Sequence, residues 1–236
     1  MEFAPVLHAE WIKIRTLRPL VGSLAAVLLV TTGFSALAAA GAAGSDPLYS
    51  VFFGVGLGQI AAIAFGTTAV SAEFRGGALR LTLSAVPDRL RWFAAKATAI
   101  ALPVLAVGLL TGLVTLLVGK AVLGTSGPVW GEGLRGAVGC ALHLTLMALF
   151  AAGLAAVLRS GVATLSMLIP FLLIVSFVIG DLSGSVADFL PDRAGQVALH
   201  STWDGALGPW SGLAVTALWS AAALLAGAWS LHRRDA

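Results

Sequence analysis

The side chains able to do chemistry are few in this chain, and their spacing matches no common catalytic or metal-binding motif. One cysteine and four scattered histidines supply no metal-ligand pattern, and a lone cysteine excludes an intrachain disulfide. The Gly119-Lys120 pair lacks both the upstream glycine and the following Ser or Thr of a phosphate-binding P-loop. We therefore expect this chain to bind no metal, cofactor or nucleotide.

An intramembrane enzyme is the catalytic alternative. His143 lies inside one apolar stretch and Ser166 inside the next, and a Ser–His pair at that depth could act as nucleophile and base. No glycine motif surrounds the two residues, so a packed, hydrogen-bonded histidine is the plainer interpretation. A membrane enzyme, or a scaffold without transport, stays open as an alternative function.

Charge is rare in the chain except in one stretch. Hydrophobic residues make up 58% of the sequence and charged residues 11%, where soluble proteins have about 25% charged residues. So few charges could not cover a soluble domain, and the bilayer must therefore be the solvent for much of the chain. Residues 71–96 are the exception, with five basic and two acidic side chains. The basic residues are distributed according to the side of the membrane, as shown below, and this distribution accounts for them without a nucleic-acid partner. We therefore expect no nucleic-acid partner.

Six apolar stretches are long enough to cross the hydrocarbon core as helices, which takes roughly 20 residues each. The predicted fold class is an all-α integral membrane protein with a single transmembrane domain over residues 1–236. Its predicted spans are 20–41, 49–70, 97–119, 137–158, 162–180 and 210–231. Pro170 should kink the fifth span, because its ring removes one helical hydrogen bond.

The distribution of Lys and Arg predicts the orientation of the spans. Of the 14 basic residues, all except Lys120, Arg135 and Arg193 fall on the side that holds both termini. We therefore expect both termini and residues 71–96 to be cytoplasmic, in a protein of the plasma membrane. Aromatic residues should form two interfacial belts, with Trp11, Trp92 and Trp229 inside and Tyr49, Trp130 and Trp210 outside.

A cleaved signal peptide is an alternative for the N-terminus, since basic residues, an apolar run and small residues follow one another there. The apolar run is longer than the roughly 7–15 residues of a signal core, and the basic region is itself patterned. We therefore expect an uncleaved first span.

Residues 1–19 are predicted to form an amphipathic helix in the inner membrane interface, ending at Pro19. A positive flank that merely orients the first span is the alternative. Glu10 projects among the apolar residues, where a lone carboxylate would be costly, so we expect it to meet a cation from residues 71–96. The apolar side is formed by Phe3, Leu7, Trp11, Ile14 and Leu17.

Residues 71–96 are too apolar for a solvated linker, although a simple hydrophilic connection is the alternative. Pro87-Asp88 marks a break, after which a helical stretch should run into the third span. Glu73 and Arg75 lie just beyond the second span, where a charge pair could hold its end. We expect a short helix that projects from the membrane and docks in a cytoplasmic partner.

The predicted spans contain no deep carboxylate and two small-residue faces. Proton-coupled carriers usually bury acids, so their absence favours an external energy source, with an ion-gradient-driven carrier as the alternative. Gly54–Gly58 and Gly108–Gly112 predict close helix packing. Six helices are few for an enclosed pathway, so we expect two such bundles to pair.

Two stretches carry a family resemblance. The first is Glu10-Trp-Ile-Lys-Ile-Arg-Thr16, and the second is Glu73-Phe-Arg-x-Gly-x-x-Arg-x-Thr-Leu-x-x-x-Pro-x-Arg89. Together they resemble the permease subunits of type-2 ATP-binding-cassette (ABC) exporters, and the six-span plan extends the resemblance over the whole chain. The sequence departs from the pattern at Gly76 and Ala78, where relatives often have a polar residue and a threonine.

The resemblance implies a permease subunit that is not itself an enzyme. A separate ABC-type ATPase would bind ATP and Mg²⁺ and would dock on the N-terminal helix and on a coupling helix within 71–96. A second permease copy, identical or different, would complete an exporter of amphipathic or hydrophobic molecules such as drugs, peptides or lipids. The residues implied at the ATPase-coupling interface are Glu10, Lys13, Arg15, Glu73, Phe74, Arg75, Arg80, Pro87 and Arg89.

The segment 181–209 resembles the outer segment of that family, in which short re-entrant helices close the exit. Leu190 and Pro191 are the implied gate residues, and Pro191 would stand in the first turn of a helix. A plain extracellular loop is the alternative, although the segment is long enough to suggest structure.

Overall fold

The computed structural model describes residues 3–41, 46–86, 88–175, 184–203 and 205–233, which form an all-helical structure with no β-strand among them. Short 3₁₀ turns follow α4 at Ala72–Phe74 and flank α9 at Gly184–Phe189 and Val197–Leu199. The α-helices of this described part are α1 (Phe3–Thr16), α2 (Arg18–Gly41), α3 (Pro47–Phe52), α4 (Val55–Ser71), α5 (Ala78–Ala85), α6 (Arg89–Leu123), α7 (Trp130–Leu158), α8 (Gly161–Pro170), α9 (Pro191–Gln196) and α10 (Pro209–Arg233).

Within those residues, five helical segments are long and apolar enough to cross a membrane, which indicates a multi-pass membrane protein. They are α2, α3 together with α4, α6, α7 and α10, and each overlaps a predicted span. The third begins at Arg89, so the predicted helical stretch that runs into the third span is confirmed, and Asp88 caps α6 by accepting a hydrogen bond from the Arg91 N–H over 3.0 Å. The second is interrupted by a turn at Phe53 and Gly54.

The fifth predicted span, 162–180, is described only in part. Helix α8 ends at Pro170 and gives way to a π-helical turn at Phe171–Val175. The regular helix therefore breaks where the sequence predicts a kink, since proline cannot donate the next backbone hydrogen bond. Residues 176–180 lie outside the described part of the chain. Pro103 behaves differently, because it lies inside a continuous α6.

Helix α7 is the centre of the bundle and packs against α4, α6 and α10. At each contact a glycine on one helix lies against the backbone of the other, so the helix axes approach closely. The predicted small-residue faces take part, with Gly58 against Thr31 and Gly108 against Ala141. The other close pairs are Gly66 with Ala148, Gly112 with Ala137, and Gly153 with Ala223.

Gly66→Ala should destabilise the bundle, because the added Cβ would overlap the carbonyl oxygen of Ala148 and force α4 and α7 apart. Overpacking of this kind costs about 1–3 kcal/mol. We expect a lower midpoint of thermal unfolding in detergent. Gly33→Ala is the matched control, since nothing lies within 4 Å of its added Cβ, and it should leave the midpoint unchanged or raise it slightly. Equal midpoints for the two variants would contradict close packing at Gly66.

Candidate functional site

Helix α1 packs on the bundle through a narrow face that contains a carboxylate. Val6, Glu10 and Ile14 are buried, at the i, i+4, i+8 spacing of one helix face. Phe3 and Trp11 are each more than a third exposed. The predicted apolar side is therefore divided, with Ile14 against the protein and the aromatic rings directed outward.

Glu10 lies in a group of four charged residues, here called the ion cluster, which consists of the buried Glu10, Glu73 and Lys96 and the partly exposed Lys13. Lys96 Nζ contacts Glu10 Oε2 and lies 2.7 Å from Glu73 Oε1. Lys13 Nζ bridges the same two carboxylates, at 2.9 Å from each. The expectation that Glu10 meets a cation from residues 71–96 is confirmed, and that cation is Lys96.

Two uncharged side chains complete the ion cluster. The Trp92 indole N–H donates to Glu10 Oε1 over 3.3 Å, and the Thr82 hydroxyl donates to Glu73 Oε2 over 3.3 Å. The cluster therefore joins α1, the end of α4, α5 and α6. Trp92 is fully buried, which corrects its predicted place in the inner aromatic belt, because its N–H binds a carboxylate inside the fold.

The ion cluster is neutral, with two carboxylates and two ammonium groups. The side chains of Glu10, Glu73 and Lys96 are only 3%, 6% and 4% exposed. Burial by itself would lower the pKa of Lys13, but hydrogen bonds to Glu73 and Glu10 outweigh burial and raise this pKa above its usual value. The four groups act as one unit, because loss of any member leaves a buried charge without compensation.

A pair of glycines turns the chain from the ion cluster into α5. Gly76 and Gly77 have φ angles of 61° and 76°, a left-handed conformation that other residues rarely adopt. Helix α5 then buries Leu79 and leaves Leu81 74% exposed. The expected short helix is present, and the departure from the family pattern at Gly76 falls on this turn.

The predicted interface residues divide between the surface and the interior. Glu10 and Glu73 are buried inside the ion cluster, where both bind lysines of this chain, and neither contributes to the exposed surface. Glu73 pairs with Lys13 and Lys96, and so the charge pair expected with Arg75 is replaced by these two contacts. The residues on the surface are Arg15, Arg75 and Arg80, with Lys13 partly exposed.

Two more predicted interface residues, Phe74 and Arg89, form contacts within the chain. They lie at the end of the bundle that holds the ion cluster, here called the basic end. The Arg159 guanidinium lies 5.5 Å from the Phe74 ring. Arg89 Nη1 donates to the Leu231 carbonyl over 2.7 Å, which ties the start of α6 to the end of α10. Pro87 lies outside the described residues.

Asp46 is the hub of the opposite end of the bundle. Its Oδ1 caps α3 by accepting hydrogen bonds from the N–H groups of Leu48 and Tyr49 at 3.0 and 3.1 Å. The carboxylate also accepts from the Ser201 hydroxyl at 2.7 Å and lies 3.2 Å from His200 Nδ1, and the His200 ring stacks on Tyr49. Burial would raise the pKa of Asp46, but the hydrogen bonds from Ser201 and Tyr49 outweigh it and lower this pKa.

Residues 184–203, which include the Asp46 partners His200 and Ser201, lie between α7 and α10. Pro191 is the first residue of α9, as the sequence predicts, and its carbonyl accepts a hydrogen bond from the Thr216 hydroxyl over 2.8 Å. The Trp219 indole donates to the Phe189 carbonyl over 3.0 Å. With a rise of 1.5 Å per residue, Trp219 is about 15 Å along α10, so this segment reaches well down the bundle.

Leu190, the other predicted gate residue, precedes α9 in an extended conformation and is partly buried. Asp192, in the first turn of α9, is only 5% exposed. This buried carboxylate is absent from the predicted spans, because it lies in a connecting segment that folds back between helices. Residues 181–183 and 204 lie outside the described part of the chain.

His143 is a buried partner of Gln59 rather than of a serine. Its Nε2 lies 3.0 Å from Gln59 Oε1, and this hydrogen bond joins α7 to α4. Ser166 is exposed on α8. The interpretation of His143 as a hydrogen-bonded core residue is confirmed, and the described structure assembles no Ser–His pair at these positions.

No protein-family model matches the chain, and no curated protein matches its sequence. The function must therefore be argued from the geometry of the two ends of the bundle.

Lys96→Met should destabilise the protein strongly, because Glu10 and Glu73 would keep their charges in a buried site. Removal of one partner from a buried ion pair costs about 3–5 kcal/mol. Arg91→Met, on the same helix, removes a cation whose pair with Asp88 is 39% and 48% exposed, and it should cost less than about 1 kcal/mol. Thermal unfolding in detergent measures both, and comparable losses would show that the ion cluster is not a buried unit.

Acid should loosen the contact between Asp46 and Ser201. The folded-state pKa of Asp46 is lowered from 3.8, so this stabilisation is complete above that pH and is lost as the pH falls through the folded-state pKa. Asp46→Asn keeps an acceptor oxygen but does not titrate. We expect the melting midpoint of the wild type to fall more steeply below about pH 4 than that of the variant. If the melting midpoints of wild type and variant fell in parallel with pH, the ionised Asp46 carboxylate would not stabilise the fold.

Proposed function

We propose that this chain is the permease subunit of a type-2 ABC exporter and that a separate ATPase docks on its basic end. The observation that carries the proposal is the ion cluster, which ties the turn after α4 to α1 and to the start of α6. Helix α5 is attached to this cluster through the Thr82 hydroxyl at Glu73. A force applied to α5 would therefore be transmitted to two membrane helices. The helices would move as rigid bodies, since their glycine contacts leave little room for internal deformation.

The surface that fits an ATPase consists of Arg75, Arg80 and Leu81, here called the docking face. Leu81 exposes an apolar side chain on α5, Arg80 precedes it in the same helix, and Arg75 is exposed just before the glycine turn that leads into α5. An apolar cleft with an acidic rim is the complementary surface. Glu10 and Glu73 then hold the docking face in position from inside and do not touch the partner.

The membrane topology belongs to the same proposal. Helix α8 starts at the basic end, because Gly161 lies against Ser71 at the end of α4, and it would form a sixth span together with the residues that follow. Both termini and the docking face are then cytoplasmic, which agrees with the charge bias. A second copy of the chain completes the pathway in the plasma membrane, and residues 184–203 form the re-entrant outer segment with Leu190 and Pro191 at the exit.

An ion-gradient-driven carrier is the second candidate, and the buried carboxylate of Asp192 favours it. Buried acids beside membrane helices are typical of proton-coupled carriers. An uncoupler added at constant ATP distinguishes the two mechanisms. It abolishes transport by the carrier and leaves transport by the exporter intact.

The docking face is tested by co-purification in mild detergent from the cells of origin. We expect a P-loop ATPase to accompany the wild type, and Leu81→Asp to lose it, because a buried aspartate would leave a charge in an apolar contact. Val129→Asp is the matched control, since Val129 is 71% exposed at the opposite end, and it should retain the ATPase.

Arg80→Glu should weaken the complex through charge reversal while membrane insertion stays intact. Absence of an ATPase from the wild-type preparation would reject the proposal. Retention of the ATPase by both Leu81→Asp and Arg80→Glu would reject the docking face.

A further inference from the structure

A cavity of about 590 Å³ lies between α4 and residues 188–200. Its size is that of a ligand site for a small molecule, for which 300–1,000 Å³ is typical. Tyr49, Phe53 and Leu57 form an apolar wall, and the buried amide of Gln59 marks its inner end. The cavity therefore offers an apolar surface to a ligand, together with polar groups to orient it.

The charges of this cavity are unequal. Its described lining residues include two carboxylates, those of Asp188 and Asp192. The basic side chains among them are Arg193 and His200. The two carboxylates therefore outnumber the guanidinium group in this lining. Tyr49 and Phe53 meet edge to face with centroids 5.9 Å apart, and aromatic faces attract cations. The lining therefore favours a positively charged ligand.

Asp188 has the most suitable position for recognition of such a charge. It lines the large cavity and also a second cavity of about 200 Å³. The lining of this second cavity includes Trp203 and Leu207. No hydrogen bond or ion pair within the described residues involves its carboxylate. Asp188 thus stands where the two cavities meet, with its charge available to a ligand.

We propose that this double cavity binds amphipathic monovalent cations, with the apolar body against Tyr49, Phe53 and Leu57 and the positive charge beside Asp188. The inference rests on the proposed export function and names its substrate class. A cation that leaves the large cavity would pass Asp188 before it reaches the second cavity.

The test measures binding of radiolabelled tetraphenylphosphonium to the purified full-length chain in nanodiscs of zwitterionic lipid, with empty nanodiscs as the blank. Triphenylphosphine oxide, a neutral molecule of similar shape, serves as the uncharged competitor. We expect saturable binding of the cation, and Asp188→Asn should raise its Kd about tenfold because a close charge partner is lost. The affinity for the oxide should stay the same.

Two variants keep the test specific. Asp188→Glu preserves the charge and should keep the affinity within about threefold of the wild type. Glu132→Gln removes one carboxylate from the first turn of α7, away from the cavity lining, and should leave the Kd unchanged. Unchanged binding of the neutral oxide shows that Asp188→Asn is folded.

The inference is overturned by a lack of saturable binding, by an unchanged Kd for Asp188→Asn, or by equal losses in Asp188→Asn and Glu132→Gln. These outcomes are independent of the proposed export function, because no ATPase is present in the nanodisc. An ATPase complex without cation binding removes this inference alone. Cation binding without an ATPase complex removes the proposed ABC function alone.

Discussion

A buried, neutral cluster of two carboxylates and two lysines is the interaction on which the basic end of this protein depends. Glu10 and Glu73 share Lys96 and Lys13, and the four side chains come from three separate parts of the chain. In so apolar a protein an unpaired charge at this depth would cost several kcal/mol. The positions of α1, α5 and the ends of α4 and α6 are therefore set together.

This constraint explains why an exposed short helix can be well positioned at a membrane surface. Helix α5 buries Leu79, but its attachment also includes the Thr82 hydroxyl bound to Glu73 and the glycine turn before it. The helices to which it is fixed pack through glycine contacts that admit almost no rearrangement. A push on α5 would then become a displacement of whole helices, which is what the proposed permease function requires.

The opposite end is held by polar contacts of a different kind. Asp46 accepts hydrogen bonds from backbone donors of α3 and from the Ser201 hydroxyl in the segment after α9. The same segment lines a cavity that has acidic and aromatic side chains in its walls. In the two proposals made above, the two ends also have different functions. One end is suited to receive a partner, and the other is suited to contain a small molecule.

The helical class, five membrane-crossing segments and the break at Pro170 follow from the sequence by itself, because apolar length and proline chemistry act locally. The misplaced charge of Glu10 also predicts a cation from residues 71–96. Only the tertiary structure decided that this cation is Lys96 and that Trp92 and Glu73 are buried. The same holds for two contacts, that of His143 with Gln59 and that of Asp46 with Ser201. Each of these contacts joins residues far apart in the chain, and a pair of that kind is selected by helix packing, which no local pattern encodes.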